Sequence, residues 1–263
     1  MRLDQALVVR KMARSRAVAA QLLRNGQVRV SDVVVSKPST RVETETVIEI
    51  EGDTERWVGR AAYKLVAALE AFPIVVKGAR CIDVGASTGG FTQVLLEAGA
   101  RQVIALDVGH GQLAPLIAAD PRVVEMSGQT VRNLDPLAVG GAAQLVVADL
   151  SFISVRLVLN TLTALICADG HLMTLVKPQF EVGRERLGAT GVVVSSLQRA
   201  EVVRDVVNDA VAGGLHVHGL LSSPVVGASG NSEYLMWARH VSTGKMTDVS
   251  IDQFVSHVAA GDL

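Results

Sequence analysis

The sequence predicts an α/β protein whose larger part is a mostly parallel, doubly wound sheet, preceded by a small α+β module. Three observations predict this. Apolar strand-like runs alternate with helix-length segments from Ala61 onward, a glycine-rich turn follows the apolar run that ends near Asp83, and the first 41 residues are strongly basic. Alternating strands and helices favour parallel βαβ units, and 263 residues suffice for one large and one small domain.

The small module is predicted over residues 1–52, with two helices followed by short strands. An apolar face runs from Leu3 to Val8 in the first helix. The second helix is expected to begin at Ser15 as its N-cap and to end at Asn25-Gly26, a helix-stop signal. Three β-branched runs predict the strands, at 28–30, 33–35 and 47–50. The polar residues 53–60 are expected to link this module to a large domain over 61–263.

The large domain begins with a predicted helix that carries Leu65, Val66 and Leu69. The elements expected after it are a strand into Asp83, a helix over 91–98, a strand into Asp107, strands at 123–124, 145–148, 172–176 and 216–221, and helices within 154–167 and 197–213. In such sheets, ligands bind beyond the carboxyl ends of the strands. The polar residues at those ends are therefore the candidates for function.

The glycine-rich turn has the spacing G-x-x-x-G-G rather than the G-x-G-x-x-G of dinucleotide-binding proteins. Gly85 can adopt the positive φ of a tight turn, and Gly89 and Gly90 allow backbone amides to approach a ligand. Asp107 closes the next apolar run. An α/β turn without a ligand is the simpler alternative. The whole pattern resembles S-adenosylmethionine-dependent methyltransferases, which implies cofactor contacts from Asp83, Gly85, Ser87, Thr88, Gly89, Phe91, Asp107 and Val108.

Two lysines and two carboxylates from four separate predicted elements form a candidate set. Asp149 and Lys177 each follow an apolar strand directly, Lys64 lies in the first helix of the large domain, and Glu233 precedes the final apolar run. A charged residue after a buried strand can be a solvated cap. Two such residues of opposite sign beside the glycine turn favour a site instead.

The motifs D-x-G-A-S-T-G-G-F, A-D-L-S-F-I-S, V-K-P-Q-F-E and S-G-N-x-E-Y resemble the TlyA family of ribosomal RNA 2'-O-methyltransferases, within the FtsJ-like methyltransferases. The resemblance covers nearly the whole chain and implies a Rossmann-like methyltransferase domain that modifies cytidines of small- and large-subunit rRNA. It also implies a catalytic tetrad of Lys64, Asp149, Lys177 and Glu233. A 2'-hydroxyl is a poor nucleophile, so we expect Lys177 to act on its proton, Asp149 and Lys64 to orient Lys177, and Glu233 to support them. The family usually carries Arg-Thr-Asn where this chain has residues 128–130.

The N-terminal module resembles the S-four RNA-binding domain, on the motifs R-L-D, A-R-S-R, N-G-x-V-x-V and K-P-S-T; Ser31-Asp32 replaces the usual glycine-containing hairpin turn. Residues 1–41 hold nine basic and two acidic side chains, whereas the rest of the chain holds 16 and 24. Such asymmetry indicates a polyanion partner, here rRNA in ribosomal subunits. The expected RNA-binding residues are Arg2, Lys11, Arg14, Arg16, Arg24, Lys37 and Arg60.

Other features favour a monomeric cytoplasmic enzyme without a metal ion. The two cysteines lie far apart in apolar runs, which indicates neither a disulfide framework nor a C-x-x-C site. His216 and His218 share one strand face but have no third ligand at typical spacing. No signal peptide or membrane span is predicted. Two rival functions stay open: a non-catalytic rRNA-binding or assembly factor, and a membrane-active haemolysin.

Overall fold

The computed structural model describes residues 1–10, 12–13, 16–24, 26–50, 56–188 and 190–262. They form two compact units, Met1–Trp57 and Val58–Leu263. The division falls inside the joint predicted at 53–60, of which residues 53–55 lie outside the described part. The exact limits of the linker stay a prediction.

The N-terminal unit contains two helices and a three-stranded antiparallel sheet. Its elements are α1 (Leu3–Val9), α2 (Arg16–Arg24), β1 (Val28–Val30), β2 (Val33–Val34) and β3 (Ile48–Ile50), with the strand order β2-β1-β3. The apolar face predicted from Leu3 to Val8 packs largely into the core of this unit, together with Leu22, Leu23 and Val28. The predicted caps Ser15 and Asn25 lie outside the described residues.

The hairpin between β1 and β2 closes through a two-residue turn without glycine. Val30 pairs with Val33, and the two residues between them have positive φ, 48° at Ser31 and 66° at Asp32. Positive φ at both central residues is the mark of a type I′ turn, whose twist matches that of the flanking strands. Arg29 donates a 2.8 Å hydrogen bond to the Asp32 carbonyl, which stabilises this turn.

The C-terminal unit is built on a seven-stranded sheet. Its strands are β4 (Arg80–Val84), β5 (Gln102–Asp107), β6 (Val123–Ser127), β7 (Ala143–Ala148), β8 (Ile166–Val176), β9 (His216–Ser222) and β10 (Tyr234–Arg239). The order is β6-β5-β4-β7-β8-β10-β9. The first five strands are parallel, and β10 runs antiparallel to both of its neighbours. The predicted mostly parallel α/β sheet is therefore confirmed.

Helices and helical turns connect these strands. They are α3 (Ala62–Ala71), α4 (Gly90–Glu97), α5 (Pro115–Ala118), α6 (Leu159–Ala164), α7 (Pro178–Glu181), α8 (Ser196–Ala212) and α9 (Asp248–Ala260), with 3₁₀ turns at Pro136–Val139 and Val155–Val158. The helix expected within 154–167 is partly wrong, because β8 already begins at Ile166. Short apolar runs fit helix and strand periodicity equally well. Helix α9 was not predicted.

Both faces of the sheet are buried: Cys81, Val103 and Met173 lie on one face, and a large apolar core packs on the other. The strand residues in this core are at most 4% exposed, among them Ile82, Val84, Leu106, Val146 and Leu172. Fully buried strands of this kind carry apolar side chains on both faces, as expected for a parallel sheet covered by helices. Within the described ranges, no helix has the length and apolar character that crossing a membrane requires.

Candidate active site

The glycine turn wraps the carboxyl end of the sheet between β4 and β5. The amides of Gly85 and Ala86 donate to the Leu106 carbonyl at 2.8 and 3.1 Å. Gly85 has φ +84°, and a Cβ there would lie 2.9 Å from the Asp149 carbonyl oxygen. Only glycine therefore fits this position, because both the backbone conformation and the close approach of the next loop exclude a side chain.

The Asp107 carboxylate is held by backbone amides on two sides. Oδ2 accepts from Ser87 N and Oδ1 accepts from Gly109 N, each at 2.8 Å. Beside it lies a cavity of about 570 Å³. Its walls include Gly85, Ser87, Asp107, Val108, Gln129, Thr130 and Arg132. The structure thus brings together four of the residues predicted to bind the cofactor, along with Gln129 and Thr130 from the segment that departs from the family pattern.

The other predicted cofactor residues are distributed differently. Thr88 and Phe91 border a second cavity of about 270 Å³ between the glycine turn and Lys177. Gly89 lines neither of these cavities; it has φ +92°, and a Cβ there would lie 2.9 Å from the Leu113 side chain. Its small size therefore serves the packing of the loop after β5 against α4.

Asp83 lies behind the cavity wall rather than in it. The residue is fully buried, and its Oδ2 accepts a 2.6 Å hydrogen bond from Thr92 Oγ1 of α4. Within the described part of the chain, no hydrogen-bond partner faces Oδ1. Burial raises the pKa of Asp83 to about 7. Alternation along β4 turns this side chain toward α4, and a direct cofactor contact of Asp83 stays a prediction.

The side chains of the four charged candidates contact one another and form one cluster. Lys177 Nζ lies 2.6 Å from Asp149 Oδ1, and Lys64 Nζ lies 3.4 Å from Asp149 Oδ2 and 2.6 Å from Glu233 Oε2. Their side chains are between 3 and 11% exposed. Two lysines and two carboxylates balance in charge, which buried ions require. Asp149 is the shared partner of both lysines.

Sheet topology explains how residues so distant in sequence meet. The parallel strands β7 and β8 end at the same edge, where Asp149 and Lys177 follow them. Because β10 is antiparallel and pairs Tyr234 with Val176, the residue before β10 lies beside the residue after β8. Glu233 thereby reaches the same edge as Lys177, and α3 supplies Lys64.

Two polar residues that sequence reasoning missed complete the cluster. Lys177 Nζ donates to Ser151 Oγ at 3.1 Å, and Gln179 Nε2 donates to Glu233 Oε1 at 3.0 Å. Gly227 leaves room for this carboxylate, since a Cβ there would lie 2.6 Å from Glu233 Oε1. Both missed residues belong to the motifs A-D-L-S-F-I-S and V-K-P-Q-F-E, but nothing in their spacing indicates which polar atoms they contact.

A third cavity, of about 860 Å³, opens over the charge cluster. Its wall includes Lys64, Lys177, Glu233 and Ser151. Three arginines also border it, namely Arg60, Arg132 and Arg184. Ser151 is common to all three cavities. The site therefore has a nucleoside-sized compartment beside the glycine turn and a larger basic compartment that contains both lysines, and the two share Arg132 and residues 151–153.

The predicted RNA-binding residues of the N-terminal unit fall into three groups. Arg24 and Lys37 are exposed. Arg2 and Arg16 are exposed as well and pair with Asp4, at 3.0 and 2.8 Å. The hydrogen bond from Arg2 is the largest of the causes that lower the pKa of Asp4, to about 2. Lys11 and Arg14 lie outside the described residues. Arg60 belongs to the C-terminal unit and also donates to the Val226 carbonyl.

The histidines of the C-terminal unit take part in local contacts. His218 Nε2 lies 2.7 Å from the Val241 carbonyl oxygen, and Trp237 Nε1 donates to His171 Nδ1 at 3.0 Å. Burial lowers the pKa of His171 to about 4. Among the residues that the structure describes, no group of three or more His, Cys, Asp or Glu side chains could hold a metal ion.

A mostly parallel sheet with an antiparallel β10, a glycine turn after its first strand and a carboxylate after its second defines a methyltransferase with a Rossmann-like fold. Comparison with known families agrees with this. The FtsJ-like methyltransferase family matches residues 57–240, and the S4 domain matches residues 1–48.

Individual relatives cover about nine tenths of the chain or more. The 16S/23S rRNA (cytidine-2'-O)-methyltransferase TlyA of Mycobacterium tuberculosis is 50% identical over 239 residues, which is 90% of this chain and 89% of the relative. Hemolysin A of Brachyspira hyodysenteriae is 32% identical, over 89% and 98% of the two chains. The solved structure named "Putative hemolysin from Streptococcus thermophilus" superimposes with a TM-score of 0.76 at 34% identity, over 99% and 96%. The chain belongs to the TlyA family of FtsJ-like methyltransferases.

Proposed function

We propose that this chain transfers a methyl group from S-adenosylmethionine to the 2'-hydroxyl of cytidine in ribosomal RNA. The observation that carries the proposal is the cluster of two lysines and two carboxylates beside the cavity of about 270 Å³ at the glycine turn. Its members are Lys64, Asp149, Lys177 and Glu233. The name of the M. tuberculosis relative supports the choice of acceptor, and the S4 domain supports RNA as the partner.

The cavity of about 570 Å³ beside Asp107 suits the nucleoside part of the cofactor. Both oxygens of Asp107 keep a free lone pair after they accept the loop amides, so the carboxylate can receive two ribose hydroxyls. Val108, 70% exposed, offers an apolar surface to the adenine. When bound there, S-adenosylmethionine supplies an electrophilic sulfonium methyl group. The glycines at 85 and 90 let the turn pack closely against its neighbours, because a Cβ would lie 2.9 Å from the Asp149 carbonyl oxygen and 3.2 Å from Ala62 N, respectively.

The charge cluster suits activation of a ribose hydroxyl. In its neutral form, Lys177 Nζ takes the proton of the 2'-hydroxyl while the oxygen is methylated. Asp149 stabilises the lysine after it has gained this proton, and it holds the amine in place before that step. Lys64 stays paired with Glu233 and Asp149, so the second positive charge of the cluster stays where it is.

The larger compartment suits a nucleotide that has left its helix. Lys177 is buried in the wall of this cavity, so we expect the target ribose to be displaced from its stack in order to reach it. Arg132 and Arg184 at the border of the cavity, with Arg60, can contact the flanking phosphates. In the N-terminal unit, we propose the same role for the exposed Arg24 and Lys37; Lys11 and Arg14 stay predictions.

Methyl transfer by the purified chain tests this proposal. The enzyme is incubated with S-adenosylmethionine and isolated small or large ribosomal subunits, and the nucleosides of the recovered RNA are measured by mass spectrometry. We expect 2'-O-methylcytidine from the wild-type enzyme and at least a hundredfold less from Lys177→Met, because a general base contributes about 10² to 10⁴ in rate. Lys245→Met, at an exposed lysine outside the site, is the matched control and should retain activity.

The two rival functions predict different results in the same preparation. A non-catalytic rRNA-binding factor would bind the subunits without forming a methylated nucleoside, and Lys177→Met would bind equally well. A haemolysin, the activity in the names of two relatives, would release dye from phospholipid vesicles. Subunit-dependent 2'-O-methylation that requires Lys177 would exclude the first, and intact vesicles at the same enzyme concentration would count against the second.

A further inference from the structure

The two lysines of the cluster differ in the acceptors they contact. Lys64 lies against two carboxylates, Glu233 at 2.6 Å and Asp149 at 3.4 Å. Lys177 contacts one carboxylate, Asp149 at 2.6 Å, and one neutral hydroxyl, Ser151 Oγ at 3.1 Å. Lys64 therefore has two anionic partners, whereas Lys177 has one anionic and one neutral partner.

Ser151 is well placed to contact both the lysine and the ligands. It is exposed in the loop after β7, and it borders all three cavities. The loop is fixed a few residues further on, where the Val155 amide donates to Glu181 Oε1 of α7 at 2.7 Å. The position of the Ser151 hydroxyl is thus set by the same loop pair that carries Asp149 and Lys177.

We propose that Ser151 is a positioning residue for the Lys177 amine, an inference that rests on the proposed methyl transfer. A neutral amine has two N–H donors and one lone pair in tetrahedral arrangement. Ser151 Oγ receives one donor at 3.1 Å, Asp149 Oδ1 lies 2.6 Å from Nζ as the charged partner, and the lone pair is left for the acceptor 2'-hydroxyl. Without Ser151, one donor is unpaired and the amine can rotate about its terminal bond, which misaligns the lone pair.

The neutral character of the Ser151 side chain matters as much as its position. The groups that face Lys177, directly or through Asp149, come from several elements: Asp149, Lys64, Glu233, Arg60 and the ring of Phe180. The charges of the cluster already balance without Ser151. A third carboxylate at position 151 would favour the ammonium form of Lys177, which cannot accept a proton.

Three variants of Ser151 test this role in the full-length enzyme with ribosomal subunits. Ser151→Ala is expected to lower kcat about tenfold, the effect of one hydrogen bond to a reacting group, with KM for the subunits unchanged. Ser151→Thr keeps the hydroxyl and should restore most of the activity. Ser151→Asp should move the rise of kcat with pH about one unit or more to higher pH. Ser250→Ala in α9, outside all three cavities, is the matched control.

A Ser151→Ala enzyme with wild-type kcat, or a Ser151→Asp enzyme whose activity–pH curve coincides with the wild-type curve, would overturn the proposal. If Ser151→Asp is inactive at every pH, the kcat of Ser151→Ala decides alone. A fall in Ser151→Ala that Ser151→Thr does not reverse would indicate a packing role and also overturns it. Failure of the wild-type enzyme to methylate subunits would instead refute the proposed function, so the two failures are distinguishable.

Discussion

Replacing Asp149 by asparagine tests the charge cluster most severely, because Asp149 is the shared partner of both lysines. The substitution keeps the volume of the side chain but removes its charge. Lys64 then retains Glu233 at 2.6 Å, whereas Lys177 is left with the neutral hydroxyl of Ser151. The cluster changes from charge balance to one excess positive charge, at lysine side chains that are 7 and 8% exposed.

The expected cost follows from this burial. Removing one partner of a buried ion pair destabilises a protein by about 3–5 kcal/mol, and asparagine still offers an acceptor oxygen, so we expect about 3 kcal/mol. For a domain of about 200 residues, this lowers Tm by about 6–12 °C. Asp120→Asn is the matched control. Asp120 pairs with Arg122 at 2.7 Å on a partly exposed surface, where the loss should be about 1 kcal/mol or less.

A double variant separates charge imbalance from the removal of hydrogen bonds. Asp149→Asn with Lys177→Met removes both ions of one pair and leaves Lys64 balanced by Glu233. We expect this double variant to be at least about 1 kcal/mol more stable than Asp149→Asn alone, although both lack methyl transfer. Differential scanning calorimetry gives the values. A Tm of Asp149→Asn within about 2 °C of wild type, or a double variant whose destabilisation equals the sum of both single effects, would refute the reasoning.

Three further predictions concern the glycine turn, the buried carboxyl and the RNA-binding surface. Gly85→Ala should abolish binding of S-adenosylmethionine in titration calorimetry, whereas Gly78→Ala, also at positive φ but with open space around it, should lose about 1–2 kcal/mol of stability and still bind; equal affinities would contradict this. The folded protein holds a proton on Asp83 up to about pH 7 and the unfolded chain releases it near pH 4, so the free energy of unfolding should fall across that interval. Between pH 5 and pH 8, the free energy of unfolding from urea titrations should fall on the order of 3 kcal/mol less in Asp83→Asn than in the wild-type protein. An equal fall in both proteins would count against the effect of burial on the pKa of Asp83. Lys37→Gln should weaken subunit binding and reduce the slope of log affinity against log salt concentration by about one, the value for a single phosphate; an unchanged slope would mean that Lys37 binds no phosphate.

Much of the active site could be predicted because parallel strands place the residues that follow them at one edge of the sheet. Asp107, Asp149 and Lys177 all came from this rule. The position of Glu233 at this edge depends on the antiparallel direction of β10, which apolar periodicity does not reveal. The assignment of Glu233 to the site came from the family resemblance. The detailed pairing, in which Lys64 rather than Lys177 contacts Glu233, requires the three-dimensional structure.

The errors have local physical causes. The family resemblance implies Asp83 as a cofactor ligand, which stays a prediction; a strand buried on both faces gives no sign that this side chain turns toward Thr92 of α4. Ser151 in its loop and Gln179 in the four-residue helix α7 were missed because a single polar residue in so short a segment shows no periodicity. Helix α9 was readable, since Thr247 caps it and its apolar residues at Ile251 and Val258 repeat at helical spacing.

Mapping of 2'-O-methylation in rRNA from cells with and without this gene tests the central claim most directly. The proposed function predicts that at least one cytidine loses its 2'-O-methyl group when the gene is deleted. A wild-type copy should restore the modification, and a Lys177→Met copy expressed at the same level should not. Identical 2'-O-methylation at every position of both subunits in the two strains would contradict the account.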